Sequence, residues 1–339
     1  MVSTQYASDS HLSSKGVMGA IIKNMLVFSV AVGGAVAATS AVAQNYPTKP
    51  VRIISGSVGS GGDLIARYLG QRLTERWGTQ VVVDNRNAII GSETVARAPA
   101  DGYTLMMGQL TSHATAPSIY KSLAYDPVKD FAPITLATHT PLLLMAHPSV
   151  PGNNLREFLD SARKQPGVIQ YAAQSGVSNS RLTMVLFCRA ADLDMLYVPY
   201  KGPAASLTAL LGREAQVSFL VVSLGLPHLG AGRLKAYAIT SKTRFSTTRD
   251  VPTMAEAGLP GVESSSWYGL FAPAKIERPL LAKLNRDMVA VLKSPEAQAA
   301  MLAQGAEVAA GTPEEFAAFV KSEVVKWGSV IKAAGIKPE

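Results

Sequence analysis

The segment Val51–Val83, VRIISGSVGSGGDLIARYLGQRLTERWGTQVVV, decides the fold. The apolar run Val51–Ser55 predicts a buried strand, and the small residues of Gly56–Gly62 predict a loop. Apolar residues at helical spacing predict a helix over Asp63–Trp77, and Gln80–Val83 predicts a second strand. A strand, a helix and a second strand in this order are typical of α/β layering.

The same alternation continues along the chain. A helix covering Ser92–Arg97 and a strand at Thr104–Met107 complete a βαβαβ run, which predicts a mostly parallel sheet because parallel neighbours need crossovers of that length. The middle of the chain predicts a second sheet. Its strands are predicted at Gln170–Ala173, Met195–Val198, Val217–Val221 and Leu234–Thr240, and its helices near Asn179–Ala191, Pro203–Leu211 and Leu224–Ala231. Further helices are predicted near Pro279–Lys293, Pro295–Gln304 and Pro313–Ala334.

Two long extended segments, Ile134–His147 and Glu263–Pro273, flank the middle block. We interpret them as the two strands that cross between two lobes. The resulting domain boundaries are residues 44–138 with 266–339 for lobe I, and residues 139–265 for lobe II.

The N-terminus predicts export. Met25–Ala43 is apolar and uncharged, follows Lys23, and ends in the small-x-small pattern Ala41-Val42-Ala43. This pattern predicts a signal peptide over residues 1–43, cleavage after Ala43 and a periplasmic location. The alternative is a membrane anchor, since the stretch reaches the lower end of the length that spans a bilayer. Its Gly, Ala and Ser content favours the signal peptide.

Composition excludes several classes of function. The formal net charge is +8 and 17% of the residues are charged, but no Lys/Arg cluster interleaves with aromatic residues, so nucleic acid is not an expected partner. Cys188 is the single cysteine, which rules out an intramolecular disulfide and a thiolate metal site. The five histidines lack the spacing of metal ligands. We therefore expect neither a metal nor a cofactor.

The motifs of the competing enzyme classes are absent. Gly59-Ser60-Gly61-Gly62-Asp63-Leu64 lacks the third glycine of a dinucleotide fingerprint, and Ser55–Gly62 lacks the Lys-Ser/Thr of a phosphate-binding loop. A Gly-x-Ser-x-Gly elbow, which a serine hydrolase of the α/β class would need, does not occur. These absences argue against a nucleotide-binding enzyme and a serine hydrolase.

Six motifs resemble the Bug or TctC-type solute receptors of tripartite tricarboxylate transporters, and the resemblance covers Tyr46 to Ile336. The motifs, in the family's order, are Tyr46–Ile53 (YPTKPVRI), Ala96–Leu105 (ARAPADGYTL), Tyr125–Ile134 (YDPVKDFAPI), Val198–Gly202 (VPYKG), Asp250–Gly258 (DVPTMAEAG) and Ser266–Pro273 (SWYGLFAP).

The resemblance implies a type II periplasmic-binding-protein fold, with two mixed sheets joined by two crossover strands. It implies a receptor that closes its two lobes around a small organic carboxylate and delivers it to integral-membrane transporter subunits. We expect a monomer that needs no cofactor. An alternative is a receptor that presents its ligand to a membrane sensor kinase, because both roles use lobe closure.

In the family, loops that end a strand and open a helix surround the ligand carboxylate. The resemblance therefore implies a site in the loops at Ser55–Gly62, Thr111–Ala114, Ser175–Ser180 and Lys201–Ala205, where helix N-termini would favour an anion. The predicted ligand-binding residues are Ser55, Ser57, Gly59, Ser60, Asp63, Thr111, Ser112, His113, Ser178, Arg181, Lys201, Gly202, Ala204 and Trp267.

Some of these residues have structural alternatives. Ser55–Gly62 is also compatible with a plain tight turn, His113 with a residue of a helix start, and Lys201 with a solvated lysine. Trp267 is also compatible with a core or hinge position.

The predicted site departs from the family pattern. Arg181 replaces a usual histidine, and the first loop and Asn85–Gly91 have lost their usual Pro-Gly pattern. The Phe-Asp pair that generally follows the corresponding strand in the family is missing from Gln216–Ser223 (QVSFLVVS). Arg181 and this loss of carboxylates make the predicted cleft more cationic. This change predicts either a more acidic ligand or a diverged copy whose ligand binding is relaxed.

Overall fold

The computed structural model describes residues 45–338, so the predicted signal peptide lies outside the described residues. The strands are β1 Val51–Ser55, β2 Val81–Asn85, β3 Thr104–Gln109, β4 Phe131–Ala146, β5 Gln170–Gln174, β6 Leu196–Tyr200, β7 Val217–Val221, β8 Lys235–Ile239, β9 Ser265–Pro273 and β10 Glu307–Val308.

The helices are α1 Gly61–Trp77, α2 Ala88–Ala96, α3 Ala116–Ile119, α4 Leu155–Ala162, α5 Asn179–Ala191, α6 Pro203–Leu211, α7 Val222–Gly230, α8 Arg278–Leu292, α9 Pro295–Leu302 and α10 Pro313–Ala333. A π-helical turn, Thr111–Thr115, directly precedes α3. Within residues 45–338, no helix combines the length and the apolar character needed to cross a membrane.

The strands form two mixed sheets. The first sheet has the order β2-β1-β3-β9-β4-β10, in which β1, β2 and β3 are parallel and β9 runs antiparallel to β3 and β4. The parallel arrangement of β1, β2 and β3 confirms the prediction from their βαβαβ pattern. The second sheet has the order β8-β4-β7-β5-β6, with β5 parallel to both β6 and β7.

Strand β4 belongs to both sheets. Its first part, Phe131–Pro141, pairs with β9, and its last part, Leu142–Ala146, pairs with β7. One continuous strand of 16 residues therefore joins the two sheets, as predicted for Ile134–His147.

The second crossing is shorter than the predicted segment Glu263–Pro273. Strand β9 pairs only within the first sheet, from Ser265 onward. The step between sheets is made by Ser264, whose amide donates to Thr240 O at 3.2 Å just after β8. The chain therefore passes from one sheet to the other at Ser264 and Ser265, directly beside the crossing of β4, where Ser265 pairs with Pro141.

Each sheet has its own apolar core. Phe158, Phe187, Phe219 and Tyr237 pack within the core of the second sheet. The core of the first sheet contains Trp267, Phe271, Phe316 and Trp327, together with Leu182 of α5. Helix α5 follows a strand of the second sheet, so Leu182 anchors it to the other lobe's core.

Candidate functional site

The first loop of the site is held rigid by a buried carboxylate. Asp63 is 1% exposed, accepts from Gly59 N and Asn85 Nδ2 at 2.8 Å each, and pairs with Arg67 at 2.9 Å. Burial alone would raise the pKa of Asp63, but the bonds from Asn85, Gly59 and Arg67 outweigh it and lower the pKa. Asp63 therefore positions the loop, and its carboxylate is already saturated with donors.

Helix α1 begins at the end of this loop, and its first turn lies against β9. Ser60 is the N-cap, because its Oγ accepts from Asp63 N at 3.3 Å. The ring of Tyr268 lies directly on Gly61 and Gly62, where an added Cβ would come within 2.9 Å and 3.0 Å of ring atoms. Two of the predicted ligand-binding residues, Ser57 and Gly59, lie just before this turn and are exposed.

Helix α5 reaches the same strand from the other lobe. Ser178 is its N-cap, with Oγ accepting from Arg181 N at 3.3 Å. Asn179 Nδ2 donates to Ser266 Oγ at 3.1 Å, and Ser264 Oγ donates to Asn179 Oδ1 at 3.0 Å. The first turn of α5 is thus bound to the start of β9.

Two helix N-termini converge on one face of β9. Ser266 and Tyr268 are two residues apart in a strand, so their side chains point to the same face. Ser266 contacts α5 and Tyr268 contacts α1. The partial positive charge of both helix dipoles is therefore directed at this face, which favours an anion there.

The third loop joins this face through Gln109. Gln109 lies directly opposite Tyr268 in the β3–β9 pair, and its Nε2 donates to Thr111 Oγ1 at 2.9 Å. Thr111 is exposed, whereas Ser112 and His113 are fully buried. Of the three residues that were predicted here to bind the ligand, Thr111 is therefore the one whose side chain lies at the surface.

His113 lies in the core and not in the cleft. Its ring stacks on Phe271 with centroids 4.2 Å apart and meets the edge of Phe131, while Nδ1 shares a hydrogen bond of 2.9 Å with Ser112 Oγ. Burial lowers the pKa of His113 to about 3, so the imidazole is neutral. The sequence could not show this because the π-helical turn rotates the side chain inward.

Trp267 also faces away from the cleft. As the residue between Ser266 and Tyr268, it points to the opposite face of β9, where Nε1 donates to Glu323 Oε2 at 3.0 Å. The indole is fully buried against Phe316 and Phe319. The core alternative for Trp267 therefore describes the structure better than a ligand contact.

Arg181 is partly engaged within its own lobe. Nη1 donates to Gly176 O at 3.1 Å, and the guanidinium lies over the Tyr197 ring, 4.6 Å from its centroid. Tyr197 in turn donates to Gln174 O. Arg181 thus braces the loop that precedes α5.

The fourth predicted loop opens α6. Gly202 is the N-cap, and no side chain caps the first turn of α6. Lys201 and Ala204 are exposed. Ser175 N donates to Tyr200 O at 2.8 Å, which sets the end of β6 beside the loop before α5. The described contacts do not tie Lys201 to the Tyr268 face.

Four residues of this face are absent from the predicted ligand-binding residues: Gln109, Asn179, Ser266 and Tyr268. Alternation along Ser264–Tyr268 could have shown that Ser266 and Tyr268 share a face opposite to Trp267. Conversely, Ser55 is placed as predicted at the end of β1, but it is fully buried.

The chemistry of this arrangement is that of binding. Among residues 45–338, no group of three or more His, Cys, Asp or Glu side chains could hold a metal ion. The contact between Ser112 and His113 resembles a nucleophile with its base, but both side chains are fully buried and a substrate could not reach them. Small hydroxyls and helix amides are the groups left at the cleft face.

Solved structures of receptors are similar to this chain. The structure of R. palustris Rpa4515 with adipate is 32% identical with a TM-score of 0.71, over 87% of this chain and 100% of that one. The periplasmic binding protein BugD is 33% identical with a TM-score of 0.67, over 87% and 100%. MatC (Rpa3494) from Rhodopseudomonas palustris with bound malate is 30% identical with a TM-score of 0.67, over 84% and 100%.

These similarities confirm the predicted fold class, a two-lobed α/β periplasmic-binding-protein fold. The family model described as "Tripartite tricarboxylate transporter family receptor" (TctC) matches residues 65–336. The resemblance found in the sequence motifs is thereby confirmed, and the chain belongs to the TctC family of solute-binding receptors and not to a family of enzymes.

Proposed function

We propose that this protein is a periplasmic receptor that captures a small organic carboxylate between its two lobes and delivers it to a tripartite tricarboxylate-type membrane transporter. One observation carries the proposal: the N-termini of α1 and α5, which follow strands of different sheets, both contact the Ser266–Tyr268 face of β9. A carboxylate at that face would interact with both lobes at once. The acids bound by the similar structures, adipate and malate, support this ligand class.

Binding acts by hinge closure. Lobe I comprises residues 44–138 and 266–339, lobe II comprises residues 139–265, and the hinge lies in β4 and at Ser264. An acid that contacts α1 and α5 together binds the closed form more tightly than the open form, so it shifts the population toward closure. The closed lobes form the surface that the transporter recognises.

Export precedes function in this proposal. The signal peptide over residues 1–43 is removed after Ala43, and the mature protein acts as a monomer in the periplasm. N-terminal sequencing of the protein recovered from the periplasm should begin at Gln44. Recovery only in the membrane fraction with Met25–Ala43 still attached would instead support the membrane anchor.

The function is tested by thermal unfolding of the chain from Gln44 onward, with mono-, di- and tricarboxylates, acidic amino acids and, as a control class, nucleotides. A ligand at 100 times its Kd stabilises the native state by about 2.7 kcal/mol, which raises the Tm by roughly 2 °C or more. We expect such a shift with adipate, malate or a related acid and none with nucleotides. No shift with any acid would contradict the proposal and favour relaxed ligand binding.

A further inference from the structure

Tyr268 lies against the N-terminus of α1, two residues along β9 from Ser266, which contacts the N-terminus of α5. Its ring rests on Gly61 and Gly62, so close that a Cβ at Gly61 would lie 2.9 Å from the phenol oxygen and a Cβ at Gly62 would lie 3.0 Å from two ring carbons. Only glycine fits beneath this ring at both positions. The phenol oxygen therefore lies beside the first-turn amides of α1.

The phenol oxygen therefore lies within the positive potential of the α1 N-terminus. That potential draws electron density toward the oxygen, so the hydroxyl becomes a stronger hydrogen-bond donor through its own proton. The hydroxyl proton of Tyr268 therefore extends the positive potential of the α1 N-terminus toward a group in the cleft. Tyr268 is only partly buried, so such a group can approach it.

Two buried hydroxyls flank Tyr268 without a hydrogen-bonding partner among the described residues. Ser55 Oγ is fully buried and lies 3.5 Å from the position that a Cβ on Gly62 would take. Thr138 Oγ1 is also fully buried, and Thr138 lies directly opposite Tyr268 in the β4–β9 pair, on the same face. An unpaired buried hydroxyl is costly, so both point to a polar group bound at this position.

We propose that Tyr268 is a specificity-determining residue whose hydroxyl donates a hydrogen bond directly to the carboxylate of the bound acid. The ring covers Gly61 and Gly62, so the positive N-terminus of α1 acts on the acid partly through the phenol. This inference rests on the proposed function and adds to it one residue outside the four strand-to-helix loops. Burial raises the pKa of Tyr268, so the hydroxyl keeps its proton at neutral pH.

The test is isothermal titration of wild type and Tyr268→Phe with adipate and with malate. Phe keeps the ring on Gly61 and Gly62 and removes only the hydroxyl. Because a hydrogen bond to a charged group is lost, the Kd should rise about tenfold or more, while the Tm of the unliganded protein stays within about 2 °C of wild type. Tyr103→Phe removes a phenol that accepts from Thr48 N; because Tyr103 directly precedes β3, at the opposite end of that strand from Gln109, the Kd should stay unchanged.

A second variant, Gly62→Ala, displaces the ring through its added Cβ and should also raise the Kd. An unchanged Kd for Tyr268→Phe would overturn the inference, because the hydroxyl would then make no contact with the acid. A lower Kd would overturn it as well, since the hydroxyl would then compete with the acid for the Gly62 amide. Failure of wild type to bind any acid of the thermal panel would instead overturn the proposed function, and the inference with it.

Discussion

Asn179 Nδ2 donates to Ser266 Oγ across 3.1 Å, and this bond fastens the first turn of α5 to β9. The Oδ1 atom of the same side chain accepts from Ser264 Oγ at 3.0 Å, and Ser264 Oγ also meets Thr183 Oγ1 at 2.6 Å. One amide therefore bonds both Ser264, where the chain passes between the sheets, and Ser266 of β9. The first turn of α5 is thereby fixed to both positions.

We predict that Asn179→Ala lowers the free energy of unfolding by about 1–2 kcal/mol, because Ser264 loses a partner while it remains buried. Urea denaturation at pH 7 measures this difference. Gln71→Ala on the exposed side of α1 is the control and should stay within about 0.5 kcal/mol of wild type. Equal stability of both variants would show that the Asn179 bonds are replaced by water at no cost.

Asp63 should make the stability of the first loop depend on pH. Its pKa is lowered in the folded state by Asn85, Gly59 and Arg67, which together outweigh the opposing effect of burial. A lowered pKa contributes stability that is present above the ordinary carboxyl pKa of about 3.9 and is lost as the pH falls through the folded value. Asp63→Asn should therefore be less stable than wild type at pH 7, and the difference should shrink toward pH 3.

Urea denaturation of both proteins at pH 7, 5 and 3 provides the comparison. Asp101→Asn is a suitable control, because Asp101 pairs with Lys49 at the surface and such exposed pairs contribute little. A gap between wild type and Asp63→Asn that stays constant across this pH range would contradict the assignment.

The order of strands and helices could be predicted from the sequence, because the spacing of apolar residues along the chain follows the positions that are buried. Helices α5 and α6 begin and end as predicted from Asn179–Ala191 and Pro203–Leu211. Helix α4 was missed even though Asn154 caps it by accepting from Glu157 N, because Leu155–Ala162 gives too few turns for a periodic signal. The bond between Asn179 and Ser266 joins residues 87 positions apart, and no local pattern reports such a contact.

The candidate site was predictable as loops but not as side chains. The loops before α1 and α5 do face one strand, since helix N-termini follow strand ends in this fold. The His113 side chain is buried because it lies in a π-helical turn, and Trp267 faces away from Tyr268 because of the pleat of β9. Both orientations depend on tertiary packing.

Arg181 should contribute to binding through geometry as well as charge. Its guanidinium donates to Gly176 O and covers the Tyr197 ring, and a compact ammonium does not reproduce the flat stacking face and the fixed in-plane donors of this group. If the loop before α5 must be braced for binding, Arg181→Lys should raise the Kd for an acid about as much as Arg181→Ala, by roughly tenfold. Titration calorimetry of the two variants with adipate and malate tests this.

Arg189 offers the matched control for these variants, because it lies exposed in the last turn of α5. Arg189→Ala removes the same charge from the other end of the helix and should leave the Kd near the wild-type value. Full binding by Arg181→Lys would show that charge alone matters, and full binding by Arg181→Ala would remove Arg181 from the site.

His113 should destabilise the protein in acid. Its folded pKa of about 3 lies below the ordinary value of 6.5, because burial disfavours the imidazolium. The folded state therefore binds fewer protons than the unfolded state between pH 6.5 and 3. As the pH is lowered through that window, the free energy of unfolding decreases by up to about 1.4 kcal/mol per pH unit. His113→Gln removes this titration, so its stability should fall less steeply between pH 6.5 and 4.5, above the range where the carboxylates titrate.

The slopes are obtained from urea denaturation at half-unit steps of pH. His147→Gln is the control, since His147 lies at the surface beside Ser149 and its removal should change the slope far less. Parallel curves for wild type and His113→Gln would mean that the buried imidazole already carries its proton in the folded state, which its packing against Phe271 and Phe131 opposes.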